Sequence, residues 1–438
     1  MLATWNPEVL YEFTEDAYLY ADDNNQVLFD KRRLKKYLLD KKSKKFLSDL
    51  KNASPFSLKE FSHDVEKRLL LSKLHQAGII KIVELENAEP ITDSSVTSGP
   101  IQITAYRIVL TEACNLRCTY CFQEETTDRL STMSMPILDG VIDSILNRHK
   151  PDDFISIHWF GGEPLLRFKL IHHAMTRLAI AVEENRIGGI SYDMTTHGGL
   201  VTSNIASILS EFGVKVLVSL DGGKTVNDRA RIDKKGRGTF DRAIKGYRIL
   251  EEHGVDVGVI VTTSFDTGPD LARGIRDLVS LLEPKRVFVN TPQPTPRGWE
   301  VDGAVFANQL FEAANECDAH NCILIGPHQK IRRALALSEV QNLDCVAPSG
   351  EMAVSVGPNG QLGHCIVSWN GIEHSQEDVW DYDVAKQWKT TSNKTSTCRK
   401  CPAETVCGGP CPLEAELIGL DEQRCAFYLT SLEKILLE

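Results

Sequence analysis

Cys114, Cys118 and Cys121 stand at C-x3-C-x2-C spacing in "EACNLRCTYCFQ", directly after the apolar run "YRIVLT". A structural zinc site takes four ligands, commonly in C-x2-C pairs, and no fourth Cys or His stands beside these three. Three thiolates suit an iron–sulfur cubane with one iron left open to a small ligand. An open position is what a catalytic metal site requires. The missing fourth ligand is then the substrate position.

Two further stretches carry ligand chemistry. In "WFGGEPLL", Gly161 and Gly162 let backbone approach a ligand closely, and the Glu163 carboxylate suits an ammonium. The same letters also read as a Gly-Gly turn before a helix opened by Pro164. "VSLDGGKTVNDRARID" sets Ser219 and Arg231 around a Gly-Gly turn, and a planar guanidinium fits a carboxylate well.

The twelve cysteines are not scattered: three lie at 114–121, two at 317 and 322, and seven between 345 and 425. Scattered thiols act as small hydrophobes, whereas clustering of this kind reads as metal. Cys345 and Cys365 frame a C-x14-G-x4-C stretch. "CRKCPAETVCGGPC" contributes Cys398, Cys401, Cys407 and Cys411 as C-x2-C-x5-C-x3-C, and Cys425 closes the series. A zinc ribbon over Cys398–Cys411 is the alternative use of the same spacing.

The elements that must position these residues follow from periodicity. "ITAYRIVL", "FISIHWF", "ISYDMTT", "VKVLVSL", "VDVGVIVTT" and "KRVFVN" are strand-like and alternate with amphipathic helical segments such as "TFDRAIKGYRILEEHG". Six βα units in succession predict parallel strands with helices outside, as a barrel or an open sheet. Sites in such folds lie at the carboxyl ends of strands, where the first three cysteines fall. Residues 1–95 read differently. "AYLYADDNNQVLFDK" predicts two strands around a polar turn, and "KRRLKKYLLDKKSKKFLSDL" has apolar residues at helical spacing among lysines. "SLKEFSHDVEKRLLLSKLHQAGIIKIVE" predicts a helix pair stopped by Gly78 before a strand. This plan suits a winged-helix-like module, and "NAEPITDSSVTSGP" marks a linker. Residues 301–438 begin with a helix and continue as a cysteine-rich region of short strands and turns.

Composition sets the outer bounds. A chain of 438 residues exceeds one ordinary core, and 42% hydrophobic with 25% charged residues is that of a globular protein. A net charge of −11 argues against nucleic acid as a partner. No apolar run is long enough to span a membrane and no signal segment opens the chain, so a cytoplasmic location is expected.

"CNLRCTYC" resembles the signature of the radical S-adenosylmethionine superfamily, and "GGEP" and the S-x-D-G…R stretch match its later segments in order. The resemblance implies a partial (β/α)6 TIM-like barrel over 101–300. It implies a [4Fe-4S] cluster on Cys114, Cys118 and Cys121 whose open iron chelates S-adenosylmethionine, yielding a 5′-deoxyadenosyl radical. Gly161, Gly162, Glu163 and Pro164 would meet the cofactor's amino group, Ser219 and Arg231 its carboxylate, and Phe122 its adenine. "TTHGG" at 195–199 stands where relatives often carry T-N-G.

The later cysteines resemble the SPASM extension, which implies two auxiliary clusters, three in all. Cys398, Cys401, Cys407 and Cys425 would hold one. Cys345, Cys365 and Cys411 would hold the other, with Cys317 or Cys322 as fourth ligand or one iron open. The N-terminal module resembles the precursor-recognition domain of peptide maturases, which captures a leader peptide as an added strand; a structural cap is the alternative. The implied activity is oxidative crosslinking of a ribosomally made precursor peptide, with an electron donor such as flavodoxin or ferredoxin. Sulfatase maturation is the rival enzyme reading, although Ile366 stands where those enzymes carry an Asp base. An iron–sulfur electron-transfer protein is the rival of another class. No catalytic base is identifiable from the sequence.

Overall fold

The computed structural model describes residues 10–61, 63–83, 102–122, 131–291, 298–341, 351–363, 366 and 394–438. Cys345, Cys365 and the linker expected near residue 90 lie outside the described residues.

The alternating patterns after residue 101 form one large sheet. Its parallel strands are β7 (Gln102–Val109), β8 (Phe154–Phe160), β9 (Gly189–Thr196), β10 (Lys215–Ser219), β11 (Val257–Thr262) and β12 (Arg286–Asn290). Neighbours in the sheet are neighbours in sequence, each joined through helical segments on the outer face: a partial TIM-like barrel. The sheet exceeds the six expected strands at both edges. β13 (Ile323–Ile325) adds beside β12, and β14 (Glu351–Val356) lies parallel to β7, followed by antiparallel β15 (Leu362–Gly363).

Strand alternation sorts the residues. On β8, Ile155, Ile157 and Trp159 are buried among the helices, while Ser156, His158 and Phe160 point the other way, into the barrel. Thr195 Oγ1 lies 3.3 Å from His158 Nε2 across the strands. Desolvation pulls the His158 imidazole down to about 3, with Arg107 adding to the effect, so it is neutral.

The N-terminal region holds two three-stranded sheets. One is β2 (Ala17–Ala21), β3 (Gln26–Asp30) and β4 (Lys35–Leu38), and the other pairs β1 (Leu10–Phe13) with β5 (Phe56–Ser57) and β6 (Ile80–Ile82). Two helices, Lys41–Asn52 and Val65–Gln76, complete it, capped by Asp40 and Asp64. Gly78 (φ +69°) ends the second helix, as expected. The helical spacing read across 31–50 is corrected at its start: Lys35–Leu38 pairs with β3, because ladder bonds to a preformed hairpin outweigh weak helical periodicity.

The N-terminal region shares a core with the rest. β3 is buried on both faces: Leu28 joins Leu47, Leu50, Phe56 and Leu71, whereas Val27 and Phe29 join the main core. The C-terminal helix Glu422–Leu437 receives this hairpin, where Asn25 Nδ2 donates to Leu437 O at 2.6 Å.

Close backbone packing supplies a test of the barrel. Gly246 sits inside the helix Phe240–Glu252, where an added Cβ would lie 2.0 Å from Gly198 O, just past β9. On an exposed helix, Gly→Ala stabilises by about 1 kcal/mol. Here Gly246→Ala is expected to destabilise by about 1–3 kcal/mol through overpacking, read as a lower denaturant midpoint.

Candidate active site

The three-cysteine loop leaves the carboxyl end of β7 and is held from three sides. Toward β8, Gly162 N donates to Thr111 O (2.8 Å) and Glu163 N to Ala113 O (3.0 Å). Toward the segment after β10, Arg117 N donates to Ile232 O (2.8 Å) and Thr119 N to Ala230 O (3.0 Å). Toward the chain beyond the loop, Glu112 N donates to Ser131 O (3.0 Å). The glycines are required by the first contact. A Cβ on Gly161 (φ +152°) would meet Thr111 O at 2.5 Å, and one on Gly162 would meet Ala113 O at 2.4 Å. Both would push the loop away.

The three thiols lie near one another on this frame. Cys118 and Cys121 act electrostatically on Cys114, and burial pushes the Cys114 thiol up to about 12. A cation among the three sulfurs would reverse that shift. Leu116 N lies 3.3 Å from Cys114 Sγ, a hydrogen bond of the kind that tunes cluster thiolates. Three soft, partly exposed thiols with a donor on sulfur fit an iron–sulfur cluster with one open corner.

Beside the loop lies a buried charge network. The Asp221 carboxylate, following β10, accepts from Tyr120 OH (2.5 Å), Thr262 N (3.0 Å) and Arg231 Nη2 (3.0 Å); Arg231 Nε stands 2.9 Å away. Desolvation opposes charge on Arg231, but Asp221 outweighs it and keeps the guanidinium charged. The Arg231 guanidinium also lies 5.4 Å from the Tyr120 ring centroid. Ser219 ends β10 next to this network and is buried. Phe122, partly exposed, closes the described part of the loop.

Glu163 has structural bonds that its motif does not announce. Its buried carboxylate accepts from Leu165 N (3.0 Å), Thr196 Oγ1 (2.8 Å) and His197 N (3.0 Å), three donors of its own chain on an anion with about four acceptor sites. Pro164 is buried in the 3-10 turn that Glu163 caps. His197, in "TTHGG", places Nε2 2.7 Å from Asn115 Oδ1 and takes Gly199 N on Nδ1 (2.9 Å). The acceptor role of Nδ1 puts the proton of the neutral ring on Nε2, which then donates to Asn115. Tyr120, Asp221, His197 and Asn115 were missed as site residues. Asp221 had a signal, since it is the Asp of S-x-D-G, whereas Tyr120 carried only its place between two cysteines.

The cysteine-rich C-terminus gathers a second set. Cys407, Cys401 and Cys398 all act on Cys425, whose thiol burial pushes up to about 12. Cys401 N donates to Cys398 O (2.9 Å), and Thr395 Oγ1 lies 3.5 Å from Cys398 Sγ. Four mutually close thiols fit a cluster as a donor set. Cys411 stands at the start of the helix Pro412–Leu417. Cys317 and Cys322 do not join either set. Cys322 precedes β13, at the amino end of the parallel strands, where its free thiol and that of Cys317 are hydrogen-bonded in the core.

Comparison with known proteins agrees with this geometry. The profile of the Radical SAM superfamily matches residues 108–281. The Fe-coproporphyrin III synthase of Methanosarcina barkeri is 31% identical over 383 residues, 74% of this chain and 87% of that protein. The serine-type anaerobic sulfatase-maturating enzyme of Klebsiella aerogenes is 22% identical over 74% of this chain and 83% of its own length. An uncharacterized protein of Methanocaldococcus jannaschii is 29% identical, but the match spans 40% of this chain and 62% of that protein. Among solved structures, native anSMEcpe with bound AdoMet superposes with TM-score 0.62 at 17% identity, over 76% of this chain and 96% of that one. Streptococcus suis SuiB bound to precursor peptide SuiA gives TM-score 0.53 at 17% identity, over 93% and 96%. At such identity the structures speak for the fold.

The Asp221 network separates two kinds of loss. Tyr120→Phe removes one bond to a charged acceptor and is expected to cost about 1.5–3 kcal/mol. Asp221→Asn leaves the Arg231 charge buried without its partner, expected to cost about 3–5 kcal/mol. Chemical denaturation of the two variants checks the order.

Proposed function

The chain belongs to the radical SAM superfamily, and from that premise we propose that it matures a peptide, oxidatively crosslinking residues of a ribosomally made precursor. The observation that carries the reading is the joining of two cysteine sets to one frame. One sits at the barrel mouth beside a buried arginine, and the other lies against the N-terminal sheets. S-adenosylmethionine and a [4Fe-4S] cluster are the superfamily's reagents; bound together, they supply a 5′-deoxyadenosyl radical that takes hydrogen from the substrate.

The protein's part is binding, orientation and exclusion of water. Cys114, Cys118 and Cys121 would hold the initiating cluster. Arg231 turns two nitrogens toward Asp221, leaving the rest of its fork for the cofactor carboxylate, with Ser219 beside it. Gly161, Gly162, Glu163 and Pro164 would meet the cofactor's amino group. Phe122 would lie against the adenine. Cys398, Cys401, Cys407 and Cys425 would hold one auxiliary cluster, and Cys345, Cys365 and Cys411 the other. Flavodoxin or ferredoxin is the proposed class of electron donor. In domain terms, 1–95 would grip the leader peptide as an added strand, 101–300 perform radical chemistry, and 301–438 carry the auxiliary clusters. No described helix is long and apolar enough to cross a membrane.

Streptococcus suis SuiB, seen bound to precursor peptide SuiA, superposes over 93% of this chain, which supports the peptide reading. The second reading, maturation of a protein Ser or Cys, is favoured by the match along most of the Klebsiella sulfatase-maturating enzyme. Ile366, in place of the expected Asp, weighs against it.

Two experiments test the reading. Cys114→Ala is expected to abolish reductive cleavage of S-adenosylmethionine, measured as 5′-deoxyadenosine; retained cleavage would sink the cluster assignment. A peptide captured from the host by the anaerobic protein should lose a hydrogen pair on addition of S-adenosylmethionine and reductant. An aldehyde on a folded protein would establish the second reading, and turnover of an iron porphyrin alone would favour the chemistry named for the Methanosarcina relative.

A further inference from the structure

Lys31 follows β3 in the N-terminal region, yet its ammonium is committed to the C-terminal cysteine run. Its side chain is 3% exposed. Nζ donates to Arg399 O at 2.6 Å and to Glu404 Oε2 at 2.9 Å, with Asp16 Oδ1 at 3.5 Å. Arg399 lies between Cys398 and Cys401, and Glu404 between Cys401 and Cys407. Both C-terminal acceptors of this one cation thus sit inside C-x2-C-x5-C. Two more bonds hold it there: Thr405 Oγ1 donates to Lys31 O (3.0 Å), and Tyr18 OH to Lys400 O (2.8 Å). The Lys31 charge also reaches Cys401 electrostatically.

Adhesion alone does not call for this arrangement. A buried ion pair is commonly no better for stability than apolar residues of the same volume, because desolvation offsets the attraction. A hairpin could dock through Val27 and Phe29 without burying an ammonium. What a fixed cation does that a methyl group does not is oppose negative charge, and one-electron reduction adds one negative charge to a cluster. Reduction potentials of such clusters follow local charge and the hydrogen bonds around their sulfurs.

We propose that Lys31 is a positioning and charge-setting residue for the auxiliary cluster of Cys398, Cys401, Cys407 and Cys425, contributed by the N-terminal domain to raise that cluster's reduction potential. The inference rests on the cluster assignment above. The charges around Lys31 are Lys394 against Glu404 and Asp16, with Lys394 Nζ 3.8 Å from Glu404 Oε1, while Arg424, which acts on Cys425, is paired with buried Glu414. With Lys31 they balance, so deleting any one leaves an unmatched unit charge of predictable sign. Arg32, also paired with Asp16, is mostly exposed and screened by solvent.

The test is an EPR-monitored redox titration of the full-length, anaerobically reconstituted protein, with the relevant signal identified by its loss in Cys401→Ala. Lys31→Met is expected to lower that cluster's potential, changing its oxidised-to-reduced ratio at fixed potential about tenfold, or ~59 mV for one electron. Lys31→Arg should stay near the parent, Glu404→Gln should shift in the opposite direction, and the initiating cluster should not move. Unchanged potentials with iron retained would overturn the inference. So would shifts of the same sign in Lys31→Met and Glu404→Gln, which is the mark of loosened packing. Should Lys31→Met lose iron, the sign in Glu404→Gln decides. A parent protein without the Cys401-dependent signal would remove the cluster assignment itself.

Discussion

The site hangs on one carboxylate with no contact to solvent, Asp221. A buried charge is tolerated only when donors surround it, and the donors here come from three places in the chain. Tyr120 brings the cysteine loop, Arg231 the turn after β10, and Thr262 N the end of β11. The spacing between the first thiols and the guanidinium is therefore a property of Asp221. Neither the loop nor the arginine can move without leaving a buried charge short of a partner, which is the kind of support a reactive site needs.

Glu163 does the corresponding work on the other side. Its N–H holds Ala113 O, one residue before Cys114, while its side chain ties Thr196 and His197 at the end of β9. Two buried carboxylates on opposite flanks thus fix the loop. The glycines before Glu163 act in the same sense, by letting two backbones lie in contact where any Cβ would separate them.

The strands, their order and the cysteine grouping were legible because each depends on local spacing. βα periodicity gives a parallel sheet whichever ligand is bound, and C-x3-C-x2-C says what it holds by the ligand it lacks. What escaped depends on partners far apart in sequence. Tyr120 and Asp221 meet across a hundred residues, and nothing local marks a tyrosine as the hook of a loop. Glu163 was recognised, but its bonds to Thr196 and His197 were not, since a carboxylate in a motif looks free until the donors around it are seen. Lys35–Leu38 showed helical spacing and became a strand, as pairing with β3 decided it. Cys317 and Cys322 look like ligands by type, but their place at the amino end of the strands sets them apart from every cluster thiol described.

Register links the N-terminal sheet to the C-terminal cysteines. β3 faces two cores, with Leu28 on one side and Val27 and Phe29 on the other. A slip of one residue would exchange those faces and carry Lys31 away from Arg399 and Glu404. The slip is opposed at the turn: Asp22 takes Asn24 N (2.8 Å) and Asn25 N (2.6 Å), and Asn25 Nδ2 reaches Leu437 O. These bonds set the pairing of Ala21 with Gln26, from which Ala17 meets Asp30 at the other end of the ladder. The polar "DDNN" stretch, unremarkable as a sequence, thereby fixes where an ammonium sits among Cys398, Cys401 and Cys407. An N-terminal module that had merely been tethered to the barrel would need no such control, because its register would touch nothing beyond its own sheet.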